Sequence, residues 1–287
     1  MNERSFQESV TDKNEFDVVI AGCGFTGLYL AQLLSQKYRV CVIEKNDQIF
    51  GPLNTTGSTM YNGVDDIFTL FGIPKNLIIN SYSSIEIISK ENKATTPPNS
   101  FPWVLLDIPK LKNEIYRRFA PSVITLCGHE VVGLIKGNDR YEGVEVHDIN
   151  SNNYKNIMGK IVVDCTGSKV SLASKAGLQT PQHLAKCFQV DADIPEPIHD
   201  SQIRIYVGFD FCPAGYAYIF PISKNRIRIG TCGTPDLSKT AFTAEELFKK
   251  FIVHTGLELT NISNQLNLNV FTGGITCLLY TSDAADE

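Results

Sequence analysis

The feature that most constrains this 287-residue chain is a glycine-rich turn set between a strand and a helix. Val18-Val19-Ile20 is a short β-branched run suited to a buried parallel strand, and it leads directly into Gly22-Cys23-Gly24-Phe25-Thr26-Gly27. Leu28, Leu30, Ala31, Leu33 and Leu34 then recur at helical spacing, after which Arg39-Val40-Cys41-Val42-Ile43 reads as a second strand ending on Glu44. The order of strand, glycine turn, helix, strand and acid is that of a dinucleotide-binding unit. In such a unit the first glycine permits the tight turn, the second lets the backbone approach a pyrophosphate, and the third lets the helix pack close to the sheet. Phosphate charge meets the N–H groups at the start of the helix. Glu44, seventeen residues after Gly27, is placed to accept hydrogen bonds from the adenosine ribose. A carboxylate there disfavours a 2′-phosphate, so the spacing predicts FAD or NAD rather than NADP. Cys23 is read as a small filler within the loop, since nothing nearby in sequence would activate it.

Several classes are excluded by what the chain lacks. A net charge of −5 and a pI near 5.6 leave no basic surface for counterion release, so nucleic acid is not an expected partner. The five histidines form no H-x-x-x-H pair and the eight cysteines no C-x-x-C pair, which argues against a metal site. Most cysteines stand in apolar runs, as buried thiols do, and this usage suits a reducing cytosol rather than a disulfide scaffold. The first fifteen residues are polar and mixed in charge, unlike a secretory signal. Val18 to Gln36 is uncharged and about as long as a bilayer-spanning helix, but Gly22, Gly24 and Gly27 break it into strand, turn and helix. The expected location is the cytoplasm.

A second signal lies at Lys160-Ile161-Val162-Val163-Asp164-Cys165-Thr166-Gly167-Ser168, an apolar strand closing on an acid, a small residue and a glycine. It resembles the D-A-T-G strand of flavoproteins similar to aromatic hydroxylases and geranylgeranyl reductases, in which it follows a β-meander and returns to the nucleotide sheet. Val123 to Leu126, Val131 to Ile135 and Gly143 to Val146 are read as that meander, with turns at Gly137-Asn138-Asp139 and Ser151-Asn152-Asn153. FAD therefore outranks NAD. Asp164 has two open readings, a cofactor-side acid or a cap for a helix beginning near Lys169.

Residues 212–233 sharpen the resemblance. Pro213, Gly215, Tyr216, Tyr218, Phe220, Pro221 and Gly230 are similar to the geranylgeranyl reductase pattern P-x-G-Y-x-W-x-F-P-K followed by a strand and G-x-G. With the two earlier motifs the likeness runs in order over residues 16–276. It implies FAD-dependent reduction of a polyprenyl chain, an external electron donor and, through a lipid substrate, peripheral membrane contact. The implied cofactor-binding set is Gly22, Gly24, Phe25, Thr26, Gly27, Glu44, Lys45, Val131, Thr166 and Gly167. The implied substrate-binding set is Tyr216, Tyr218, Phe220 and Pro221, whose rings alternate along a strand and share one face. Such a face either lines an apolar slot or fills an ordinary sheet core. The chain departs from the pattern at Tyr218 for Trp, Ile222 for Lys, Cys232 for the second glycine of G-x-G, and Ile108 for an arginine. Gly51 to Gly57 echoes a G-x-P-x-x-C segment without its cysteine, and no residue is assigned as the catalytic acid.

The expected fold is α/β, a Rossmann-like FAD-binding domain with a β-meander plus an α+β substrate domain containing an antiparallel sheet. Its expected bounds are a polar tail at 1–15, the FAD domain at 16–49 and 106–179, and the substrate domain at 50–105 and 180–276. Residues 277–287 read as the translation of a sequencing adapter, so the native sequence is expected to end near Thr276, short of the family's G-D-A-A-G motif that Asp283-Ala284-Ala285 imitates. Within the same scaffold the alternatives are a flavin-dependent monooxygenase or halogenase, a lycopene-cyclase-like isomerase, and a truncated chain without activity.

Overall fold

The computed structural model describes residues 15–49, 55–60, 72, 74–100, 102–180, 184–234 and 241–271. The chain divides into two compact units, one of residues 1–51 and 115–180, the other of residues 52–114 and 181–287. The adapter-like tail and Gly51 to Asn54 lie outside the described residues.

The first unit is built on a six-stranded sheet in the order β8 (Val123–Leu126), β2 (Val40–Ile43), β1 (Glu15–Ala21), β11 (Asn153–Asp164), β10 (Tyr141–Asp148), β9 (His129–Lys136). From β8 to β11 the strands run parallel, while β11, β10 and β9 pair antiparallel. Val19, Ile20, Ala21, Val40, Cys41 and Val42 are fully buried. That is why this part of the sequence is continuously apolar: central parallel strands have both faces covered. On one face Val19, Ala21, Cys41 and Ile43 pack with Val144, Val146, Ile157 and Leu172. Helix α1 (Phe25–Leu34) joins β1 to β2 and buries Gly27, Leu28 and Ala31.

Val123–Leu126 differs from its expected place in the meander. It pairs in parallel with β2, and the third meander strand is instead the first half of β11, which bonds β10 through Asn153 to Met158 and β1 from Met158 onward. One long strand thus serves two neighbours, which a reading by separate apolar runs divides.

The second unit carries a seven-stranded sheet in the order β16 (Thr260–Phe271), β12 (Leu184–Asp193), β15 (Arg226–Gly233), β14 (Gly215–Ser223), β13 (Gln202–Val207), β5 (Ser84–Ile88), β6 (Lys93–Thr95). All pairs are antiparallel except β13 with β5. Helix α4 (Ala244–Thr255) starts with a capping box between Thr243 and Glu246, stops at Gly256 with φ 66°, and sets Leu247, Phe248 and Phe251 against Phe188, Val190, Ile219, Ile227 and Ile229. A three-stranded sheet, β3 (Ser58–Met60), β7 (Trp103–Leu106) and β4 (Ile78–Tyr82), serves the other face: its Tyr82 and Leu105 pack with Ile203, Tyr218 and Phe220.

Residues 106–114, expected in the FAD domain, fall in this second unit. They follow β7 directly into helix α2 (Ile108–Tyr116), and Ile108 lies beside Gly57 of the same unit. Helix α3 (Ser171–Lys175) belongs to the first unit.

Candidate dinucleotide-binding site

The carboxyl ends of β2, β1 and β11 lie side by side, so the three motifs read from sequence meet at one edge of the first sheet. Gly22 N–H donates to the Ile43 carbonyl at 2.7 Å, and Cys165 N–H donates to the Ala21 carbonyl at 2.8 Å. Each glycine has its own geometry. Gly22 has φ 99°, and a Cβ on it would strike the Cys165 carbonyl. A Cβ on Gly27 would strike the Gly22 carbonyl, so that glycine lets α1 close on the turn. Gly24 has nothing within 4 Å of where its Cβ would stand. It is the N-cap of α1, no side chain caps the helix there, and the first turn carries no acid. Among the described residues nothing stands within 4 Å of that Cβ position at the positive end of the helix dipole.

Glu44 is buried at the end of β2 and binds the turn. Its Oε2 accepts the Cys23 N–H at 2.8 Å, and its Oε1 accepts the Asn46 N–H at 3.0 Å and the Asn46 Nδ2 at 2.7 Å. A carboxylate offers about four lone-pair sites, and donors among the described residues fill three of them. Lys45 is exposed beside it, and Val131 packs against the core of this unit. Nearby, burial and then the charges of Glu44 and Asp47 push the Cys127 thiol up to about 11.

Asp164 acts as a cap. Its Oδ1 accepts from the Thr166 N–H and hydroxyl at 2.9 and 2.6 Å, and its Oδ2 accepts from the Leu172 and Ala173 N–H groups at 2.9 Å each. Burial pushes this carboxyl up, but these hydrogen bonds outweigh it and hold the group below its ordinary value. With its acceptor sites taken by the chain, Asp164 orients the Thr166-Gly167 turn. Gly167, at φ 72°, has open space around its Cβ position.

The aromatic strand β14 brings its three rings together on one face, Tyr216 to Tyr218 at 6.0 Å and Tyr218 to Phe220 at 5.3 Å between centroids. They do not all line a slot. Tyr218 and Phe220 are 3% and 4% exposed and belong to a core cluster, whereas Tyr216 is 44% exposed. Pro221 is buried, and its carbonyl accepts from the Tyr82 hydroxyl at 2.7 Å and Asn80 Nδ2 at 2.9 Å. Gly230 of β15 stands opposite Tyr218 of β14, and a Cβ there would lie 2.5 Å from the tyrosine hydroxyl, so the ring needs the glycine.

Behind these rings is a polar network that sequence reasoning missed. Tyr218 donates to Gln189 Oε1 at 2.8 Å, Arg228 grips Asp191, and Asn264 Nδ2 donates to Asp191 at 2.8 Å. Gln189, Asp191 and Arg228 alternate with Phe188, Val190, Ile227 and Ile229, so in the sequence they read as a solvent-facing side, yet they are buried. Cys187 and Cys232 also depart from the expectation of buried free thiols, since they stand directly opposite each other on β12 and β15 and are joined as a disulfide. Among the described residues no cluster of three or more His, Cys, Asp or Glu is arranged to hold a metal, and no helix is long and apolar enough to cross a membrane.

Comparison with known proteins bears on this geometry. Residues 20–65 match the NAD(P)-binding Rossmann-like domain. A structure described as geranylgeranyl bacteriochlorophyll reductase-like, from Thermoplasma acidophilum, superposes with a TM-score of 0.75 at 16% identity, over 91% of this chain and 67% of that one. A flavin-dependent brominase superposes with a TM-score of 0.62 at 17% identity, over 89% of this chain and 67% of its own. The chain shares the fold of these two structures. By sequence, this chain is 24% identical over 240 residues to digeranylgeranylglycerophospholipid reductase 1 of Methanococcoides burtonii, covering 76% of this chain and 54% of the relative. It is 24% identical over 236 residues to the digeranylgeranylglycerophospholipid reductase of Haloferax volcanii, with the same two coverages. The chain therefore spans about half the length of these curated relatives.

Proposed function

We propose that this chain is part of an FAD-dependent oxidoreductase that reduces double bonds of a polyprenyl chain. The observation that carries the cofactor is Gly24: the turn is closed by glycine contacts at Gly22 and Gly27 but open at the helix start between them, with Glu44 at the neighbouring strand end. A pyrophosphate fits there, and the adenosine ribose fits the remaining acceptor site of Glu44. Gly22, Gly24, Phe25, Thr26, Gly27 and Glu44 would hold the dinucleotide, with Lys45 and Val131 flanking it and Thr166 and Gly167 bordering it from β11. When bound, FAD supplies hydride at its N5 atom; the protein's part is binding, orientation and exclusion of water.

The substrate class rests on the likeness to the digeranylgeranylglycerophospholipid reductases and on Tyr216, whose exposed ring presents an apolar surface suited to a hydrocarbon. Tyr218, Phe220 and Pro221 support that ring from within the sheet. An external donor reduces the flavin, and a lipid substrate brings the protein to a membrane surface in the cytoplasm. The resemblance to a brominase favours a second reading, oxygen-dependent flavin chemistry on the same scaffold.

Anaerobic titration of the purified chain with FAD, followed by reduction and addition of a geranylgeranyl lipid, tests both readings. Flavin reoxidation with saturation of the lipid is the expected result. A chain that retains no flavin overturns the cofactor reading, and reoxidation that requires oxygen and leaves the lipid unsaturated favours the second.

A further inference from the structure

Among the described cysteines, Cys187 and Cys232 are set apart by having each other as neighbours. Cys187 and Cys232 are 7% and 9% exposed, between Cys23, Cys41 and Cys212 at 0–1% and the half-buried Cys127 and Cys165. Burial pushes the Cys41 and Cys212 thiols up to about 12, which keeps them protonated and unreactive. Cys187 and Cys232 face each other across an antiparallel pair with Cα atoms 4.2 Å apart, which brings the two sulfurs together. Cys232 is in turn the direct neighbour of Tyr216 on β14. Tyr216, Cys232 and Cys187 form one row on one face, and the row reaches solvent at the exposed tyrosine ring.

We propose that Cys187 and Cys232 are a reversible thiol–disulfide site that ties β12 to β15 beside Tyr216. In the forward direction the two thiols give up two protons and two electrons to a small disulfide such as oxidised glutathione, forming one S–S bond and releasing two molecules of the reduced thiol. A dithiol reductant reverses it. The bond closes a loop with a sequence separation of 45, and that loop contains all of β13 and β14. Oxidation therefore holds the strand that bears Tyr216 within a covalent ring, and reduction releases it to open with the sheet. This site is independent of the flavin reading, and its test needs no cofactor.

The full chain is equilibrated in buffers spanning reduced to oxidised glutathione, quenched with acid, alkylated in denaturant and mapped by mass spectrometry. The expected result is that Cys187 and Cys232 lose alkylation together, as a single cross-linked peptide pair, while the other cysteines stay alkylated; dithiothreitol restores both. Deuterium uptake in peptides covering residues 202–223 should be several-fold slower in the oxidised form. The proposal is overturned if both cysteines stay alkylated in the most oxidising buffer, if either carries glutathione instead of the other sulfur, if dithiothreitol fails to open the bond in the folded chain, or if uptake is unchanged. In Cys232→Ser the remaining Cys187 should be alkylated or carry glutathione, and a Cys187 bond to a different cysteine would also overturn it.

Discussion

Arg228 meets Asp191 through two hydrogen bonds, Nε to Oδ1 at 2.7 Å and Nη2 to Oδ2 at 2.9 Å, with both side chains buried, and its remaining nitrogen donates to the Thr56 carbonyl at 2.5 Å. The pair thus fastens the segment ahead of β3 to the central strands of the second unit.

Removing one partner leaves the other charge buried alone. Arg228→Ala should cost about 3–5 kcal/mol of stability, while replacing both groups with Met and Leu should recover much of it. Urea unfolding followed through Trp103, the chain's single tryptophan and part of β7, measures both. A double variant no better than Arg228→Ala would mean that the Thr56 contact, rather than the unpaired charge, sets the cost.

The glycines of the turn should separate fold from binding. Gly27→Ala forces the Gly22 carbonyl aside and should cost about 1–3 kcal/mol. Gly24→Ala meets open space and should cost less than about 1 kcal/mol, yet weaken FAD by at least tenfold, about 1.4 kcal/mol, because the methyl occupies the path of the pyrophosphate. Thermal melts and FAD titrations of the two variants give the comparison.

Asp164 makes the first unit sensitive to acid. Its carboxyl is held below its ordinary value of 3.8, so its stabilising effect is complete above that pH and is lost as pH falls from 3.8 through the lower folded value. Asp164→Asn should cost about 1–2 kcal/mol at pH 7, a modest figure because the group is partly exposed. The gap between the two proteins should narrow below pH 3.8, as urea unfolding across that range would show.

Two tyrosines on one strand should behave differently. Tyr218→Phe leaves Gln189 without its hydroxyl partner in the core and should cost about 1–3 kcal/mol. Tyr216→Ala should change stability by no more than about 0.5 kcal/mol but weaken capture of a polyprenyl lipid, read as a raised KM with folding unchanged.

The βαβ unit was legible in the sequence because its signals are local: β-branched runs, glycines at fixed offsets and an acid at a strand end all fall between Val18 and Glu44. Asp164 has two readings in the sequence, since a cap and a cofactor ligand use the same residue at the same place, and the Leu172 and Ala173 N–H groups that donate to it make it a cap. The aromatic alternation on β14 gave the shared face of its rings but not their depth, because the covering residues Tyr82 and Leu105 come from distant sequence. The same holds for Arg228, whose partners Asp191 and Thr56 no periodicity connects, and for Cys187 and Cys232, brought together only by strand register.

The lone parallel pair of the second sheet makes an early strand wait for a late one. β5 cannot bond β13 until residues 118 positions later have left the ribosome, and β1 likewise waits for β11. Each unit is laced from an early and a late stretch of polypeptide, so no single proteolytic cut releases either one free of residues belonging to the other.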